Sequence, residues 1–306
     1  MDLTHYEAYI AKHRPQLKPN SVRTYARSLK VMAPEGTQDF EWVKDVDYVL
    51  KRLESYKDTT KKNNLNAVIV VLDKESEAFK RYTKERDQYN VIYTDHNKAR
   101  KKTESQEKNW VSWPDYLKMV ESMGKEAKEL RGELSKREAT HYQDYLLTLL
   151  YSHYPLRNDF ADVKVISATQ FKKLTDEERT NQNYLVKKDK SKYSLVLNEY
   201  KTSQKYGQKT IEMNDAVTPV IKKWLAINTS GYLLRDPAHP ENPLGSNGVS
   251  KAFARIGLKR VDKRLGSSLL RHSYLSHKYA DDAKSKEADA DLMMHSVAMQ
   301  DDYIKT

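Results

Sequence analysis

Apolar positions recur at helical spacing through most of the chain. In residues 3–13, Leu3, Tyr6, Tyr9 and Ile10 share one face, the i, i+3, i+4, i+7 signature of a helix packed on one side. After Pro19, Asn20 offers a cap and Val22, Tyr25 and Leu29 form the next apolar stripe, with Arg23, Arg27 and Lys30 on the opposite face. Trp42, Val43, Val46, Val49, Leu50 and Leu53 repeat the period over residues 40–55, and Thr59 or Thr60 opens a strongly apolar run from Leu65 to Leu72. Four short helices with basic faces predict one small all-α unit, placed at residues 1–93.

Residues 94–109 hold almost nothing apolar and include Arg100, Lys101 and Lys102. A basic linker is expected there, able to follow a phosphate backbone. From Trp110 the periodicity resumes: a helix starts at Trp113-Pro114, a charged helical stretch runs from Ser122 to Ala139, and an apolar helix covers His141 to Tyr154. After Arg157 the texture changes. Residues 184–187, 193–197 and 209–213 read as short strands, with Lys201, Lys205 and Gly207 in the turn between the last two. Helices are expected again at 216–227, 248–256, 267–280 and about 285–295. The pattern predicts a mainly α protein with a small antiparallel β-sheet in its second domain, residues 110–306.

Composition narrows the function. The longest apolar run is Ala67 to Leu72, far short of the ~20 residues of a membrane span. The first residues, Met1-Asp2-Leu3-Thr4-His5, hold neither the basic nor the apolar segment of a secretory leader, so an intracellular place is expected. The absence of cysteine excludes a disulfide scaffold, a thiolate zinc site and a cysteine nucleophile. A net charge of +11 points to a polyanionic partner, most often nucleic acid.

Several chemistries fail for want of their motifs: the chain has no G-x-x-x-x-G-K-[ST], no G-x-G-x-x-G and no H-E-x-x-H,. Pro114-Asp115 followed by Glu126-Ala127-Lys128 mimics a metal-nuclease pattern. That chemistry needs its acids around a metal ion, whereas Glu126 and Lys128 sit in a charged helical run. They read as solvated helix residues.

The second domain holds a stronger constellation. Arg157, in Leu156-Arg157-Asn158-Asp159, closes an apolar helix, and Arg271 interrupts another, Ser268-Leu269-Leu270-Arg271-His272-Ser273. An arginine stays charged and is costly in such a setting unless paired. The bland reading is an ion pair for each, Arg157 with Asp159 and Arg271 with Asp281 or Asp282. Met293-Met294-His295-Ser296 follows, and Tyr303 comes eight residues after His295.

In order and approximate spacing this constellation resembles the tyrosine recombinase, or phage-integrase-type, family. The pattern there is an arginine, a hairpin lysine, H-x-x-R, a His or Trp, and a nucleophilic tyrosine. The resemblance spans essentially the whole chain. It implies an all-α core-binding domain followed by a mixed α/β catalytic domain. Arg157 and Arg271 then match the two arginines, Lys201 the hairpin lysine, His295 the His/Trp position and Tyr303 the nucleophile. Three departures stand out. Ser268 replaces the histidine of H-x-x-R, with His272 next to the arginine instead. Phe160 stands where an acid follows the first arginine, with Asp159 or Asp162 as the substitute. The interval from His295 to Tyr303 is slightly short.

The chemistry implied is cutting and rejoining of DNA through a 3′-phosphotyrosine, with no cofactor and no metal because the ester conserves its own energy. Arginine pairs suit charge building on a phosphate, and Lys201 can protonate the departing oxygen. Arg23, Arg27, Lys30, Arg100, Lys101, Lys102, Lys205 and Lys209 are the candidate backbone contacts to double-stranded DNA. The family further implies a homo-tetramer on synapsed sites, accessory DNA-bending proteins as partners, and integration or excision of a mobile or viral element. A type IB topoisomerase-like or telomere-resolving enzyme, or an inactive DNA-binding relative, is the alternative.

Overall fold

The computed structural model describes residues 2–37, 39–189 and 192–292; the expected His295 and Tyr303 lie outside them. The chain divides into two compact units, Met1–Lys102 and Thr103–Thr306.

The first unit is all-helical. α1 spans Leu3–His13, started by the Asp2 carboxylate accepting from His5 N–H. α2 spans Pro19–Met32. Asn20 is not its cap: Pro19 occupies the first turn, where its missing N–H costs nothing, and Asn20 lies inside the helix. The single helix expected over 40–55 is broken at Asp45, which follows a 3-10 turn at Glu41–Lys44. The Asp45 carboxylate accepts from Tyr48 N–H and so opens α3, Val46–Leu53. α4 spans Asp58–Val71. A fifth helix, α5 over Glu77–Lys98, was not legible as a periodic run. Tyr6, Ile10, Leu29, Val49, Leu65, Val68 and Tyr82 build the core. The stretch expected as a linker, 94–109, carries the end of α5 and then α6, Glu104–Asn109, which opens with a capping box between Thr103 and Gln106.

The second unit continues with α7, Trp113–Glu129, and α8, Lys136–His153. The charged helix expected to continue from Ser122 to Ala139 is interrupted between them. Gly132 takes φ +67°, and Ser135 with Glu138 forms a capping box that restarts the chain as α8,. Next come β1 at Lys164–Ser167, short helices α9 at Ala168–Lys172 and α10 at Asp176–Asn181, β2 at Tyr184–Lys187 and β3 at Tyr193–Leu197. α11 at Ser203–Tyr206, β4 at Lys209–Glu212, α12 at Thr218–Ile227, α13 at Gly245–Val261 and α14 at Ser267–Leu292 complete the described part. Where two helices were expected from residue 267, one continuous α14 reaches Leu292.

The protein is mainly α with a small four-stranded sheet, ordered β1-β2-β3-β4. The expected strands β2, β3 and β4 are antiparallel. β1 is an addition that makes the sheet mixed, pairing parallel to β2 through a crossover containing α9 and α10. Every residue of β3 is buried. Tyr193, Leu195 and Leu197 face the main core with Tyr151, Phe160, Trp224 and Phe253. Val196 faces the other side with Tyr184, Val186 and the partly buried Phe171. Among the described residues no helix is long and apolar enough to cross a membrane.

Candidate active site

Arg157 sits where α8 ends. Pro155 cannot continue a helix and biases Tyr154 toward extended backbone, which Tyr154 adopts in part at φ −133°, ψ 80°. The Tyr154 hydroxyl donates to Glu212 O at 3.1 Å and accepts from Asn214 N–H at 2.8 Å, fixing this end of the helix to the sheet edge. Beyond the turn, Phe160, Ala161 and Val163 are buried. Phe160 packs edge-on against Tyr151, ring centroids 5.4 Å apart. That explains the apolar residue at the position where an acid was expected: it is core, anchoring the loop. The Tyr151 hydroxyl donates to the Arg157 carbonyl. Arg157 itself is exposed, on a loop held from below by a buried tyrosine.

Arg271 comes from the second turn of α14. That end of the helix is docked: Leu270 is buried, the buried Ser273 donates to Val111 O at 2.7 Å, and Tyr274 packs on Trp113 at 5.0 Å. Arg271 is half-buried, and its Nε is enclosed with no hydrogen-bond partner among the described residues. Burial holds this guanidinium below its ordinary range, and the charge of Arg157 presses the same way, while Asp159 and Tyr151 partly offset both. Asp159 is pushed up by burial, against the opposing pull of the Arg157 backbone N–H and of both arginines. Tyr151 is raised mainly by burial. Arg157, Asp159, Arg271 and Tyr151 therefore share one electrostatic environment. Neither arginine forms an ion pair with Asp159, Asp281 or Asp282.

The other expected residues fall as follows. Ser268, in the first turn of α14, and His272 are exposed; His272 is turned about 100° round the helix from Arg271. Lys201 is exposed in the β3–β4 connection and makes no hydrogen bond or ion pair among the described residues. The base of that connection is firmly closed. Asn183 Oδ1 accepts from the backbone N–H groups of Asn198 and Glu199, both at 2.9 Å, and its Nδ2 donates to Glu199 O at 2.8 Å. The Tyr200 hydroxyl donates to Gly207 O at 2.7 Å. Lys205 and Lys209 flank the exposed ring of Tyr206 at 5.2 and 5.7 Å. In the first unit Arg23, Arg27 and Lys30 lie on the exposed face of α2, opposite Val22, Ala26 and Leu29. Arg23 is 3.7 Å from Glu7. Arg100, Lys101 and Lys102 are exposed as well.

The metal-nuclease mimic dissolves: Glu126 is paired with Arg260 at 2.5 and 2.7 Å. Asp115 belongs to the start of α7, where its N–H donates to the Ser112 hydroxyl. Among the described residues, no three histidines or acids are placed to hold a metal ion.

Sequence reasoning missed Tyr151, Asn158 and Asn183, which hold the candidate residues in place. Asn158 Oδ1 accepts from Ser267 Oγ at 2.7 Å, while its Nδ2 faces Ser246 O, Ser246 Oγ and Ser250 Oγ at 3.0, 2.9 and 3.1 Å. A polar residue in a turn carries no periodic signal. Only its place directly after Arg157 could have singled it out.

No protein-family profile and no curated protein matches the chain. Among solved structures it is similar to the XerH site-specific recombinase bound to its difH substrate in a pre-cleavage complex. That match has a TM-score of 0.40 and 14% identity, over 91% of this chain and 85% of the other. A likeness at that level assigns neither a residue nor an activity.

Proposed function

We propose that this chain cuts and rejoins double-stranded DNA as a site-specific recombinase of the tyrosine class. The observation that carries the reading is the convergence of Arg157 and Arg271, distant in sequence, as guanidiniums that form no ion pair with a carboxylate among the described residues. A protein without an anionic ligand has little reason to hold two like charges together, one of them half-buried. A phosphodiester supplies what they lack, because its non-bridging oxygens gain charge as a fifth oxygen approaches phosphorus. Arginines donate paired, charge-assisted hydrogen bonds to those oxygens and do not lose their protons.

In the reaction proposed, the Tyr303 oxygen gives up its proton to water and bonds to phosphorus, and the bond from phosphorus to the 5′-oxygen breaks. Lys201 donates the proton that makes this oxygen a hydroxyl, and His295 adds a donor to the phosphate. Attack by a 5′-hydroxyl on the phosphotyrosine reverses the step and joins strands, so ester energy is conserved. Arg23, Arg27, Lys30, Arg100, Lys101, Lys102, Lys205 and Lys209 grip the backbone. The role is integration or excision of a mobile or viral element by a tetramer on two synapsed sites.

The test uses labelled duplexes from the DNA flanking the gene, nicked beside the crossover so that the cleaved fragment diffuses away. Incubation with the full chain in EDTA should give a covalent adduct on a denaturing gel, absent from Tyr303→Phe. Salt-sensitive binding without adduct would replace this reading with a binding-only protein. Relaxation of supercoiled plasmids lacking a specific site would replace it with a topoisomerase-like one.

A further inference from the structure

Asn158 takes no part in the chemistry just proposed, yet its side chain is more heavily engaged than any other in the site. The loop carrying Arg157, the start of α13 and the start of α14 meet at this one amide. Its oxygen accepts from Ser267 of α14, and its nitrogen donates into the Ser246 and Ser250 oxygens of α13. Ser267 lies four residues before Arg271, on the same face of α14. Asn158 also shapes its own loop, since its carbonyl accepts from Ala161 N–H at 3.0 Å. Ala161 O in turn accepts from Gly245 N–H at 3.2 Å, at the first residue of α13.

We infer that Asn158 is a positioning residue that sets the separation and aim of the two arginine guanidiniums before DNA arrives. The inference rests on the strand-cutting reading above. Arg157 and Arg271 are like charges near enough to act on each other, Arg157 adding to the burial that chiefly holds Arg271 below its ordinary range, and no carboxylate among the described residues bonds them together. Tyr151 holds the Arg157 carbonyl from below, and Phe160 anchors the loop beyond it in the core. The amide supplies the lateral tie to both neighbouring helices.

The residue type follows from the charge. One end must donate and the other accept, which an amide does while remaining neutral. A carboxylate would lose the donor and set an anion among the arginines, in competition with the phosphate. A lysine would add a third positive charge and could not accept from Ser267.

The experiment compares wild type, Asn158→Ala, Asn158→Asp and Ser267→Ala as full chains on the nicked duplex. Three quantities are read: the adduct-forming rate at saturating protein, the affinity of non-covalent binding, and the thermal midpoint. Displacing a reacting group by about 1 Å costs on the order of 100-fold in rate. Asn158→Ala should slow adduct formation by about 10- to 100-fold while affinity stays within about twofold. Asn158→Asp should be at least as slow, and Ser267→Ala, which removes one tie, should lose less than about 10-fold. A purely structural residue would not split rate from affinity in this way. Should Asn158→Ala fail to fold, Ser267→Ala and Asn158→Asp carry the same test. A wild-type rate in the folded variants, or equal losses in rate and affinity, overturns the inference and leaves the recombinase reading standing. Absence of adduct with wild type itself overturns both.

Discussion

The second unit treats its arginines in two opposite ways. Arg255 on α13 grips Asp144 of α8 through both guanidinium nitrogens, at 2.6 and 2.7 Å, and Asp144 is buried. Arg260, farther along α13, grips Glu126 of α7 in the same manner. Both pairs fasten α13 to the helices beneath it. Arg157 and Arg271 have no such partner among the described residues, although Asp159 is close enough to feel both. A guanidinium matched by a carboxylate in fork geometry is spent on architecture. One left unmatched beside a second is a standing demand for an anion. The contrast separates the scaffold from the candidate site without recourse to any motif.

The sharpest way to break this contrast is to remove the unmatched charges. Arg271→Ala and Arg157→Ala should each lower the adduct-forming rate by about 10³-fold or more, the scale of losing a preorganised donor to a charged transition state. Their thermal midpoints should hold or rise, because each change removes a like charge from its neighbour. A large fall in midpoint with activity retained would place these arginines with the scaffold instead.

The matched arginines should answer in the opposite sense. Asp144→Ala strands Arg255 and leaves a gap beside it. Because half of the Arg255 side chain is exposed, water recovers part of the loss, and a cost of about 2 kcal/mol in urea unfolding is expected. The adduct-forming rate of the folded protein should be unchanged. Glu126→Gln, at a more open position, should cost less, about 1 kcal/mol. If either variant unfolded normally yet lost DNA cleavage, the division between scaffold and site would fail.

How far the sequence foretold this arrangement depended on the range of the forces involved. The strands at 184–187 and 193–197 were readable because Tyr, Leu and Val cluster between polar turns, and they are observed at those bounds. β1 was not. It has only four residues, and it is a strand because β2 lies parallel beside it across a crossover, a constraint invisible locally. The end of α7 was hidden by charged residues that suit helix and turn alike, although Ser135-x-x-Glu138 carried a legible restart signal. In the site, Arg157 and Arg271 stood out as charges in apolar runs. Asn158 did not, since its partners at 246, 250 and 267 are brought to it only by folding. What is encoded by repetition or by a misplaced charge can be read along the chain; a tie between distant elements is read only in space.

The smallest effect expected concerns His141, which stands beside the matched Arg260–Glu126 pair. Its Nε2 lies 3.3 Å from Glu126 without the alignment of a hydrogen bond. Burial, more than any charge, depresses the imidazole below its ordinary range. Arg260 and Lys259 add to that, and Glu126 and Asp144 oppose it. A depressed histidine takes up its proton more readily in the unfolded chain than in the folded one. Stability supplied by the neutral ring is therefore intact above the unfolded value near 6.5 and is lost as pH falls below it. Between pH 7.5 and 5.5 the wild-type unfolding free energy should drop more than that of His141→Gln, by less than about 1 kcal/mol. Equal slopes would show that Glu126 compensates the proton in full. In that case folding would leave the protonation of His141 unchanged, with the carboxylate that holds Arg260 offsetting the cost of burying the imidazolium.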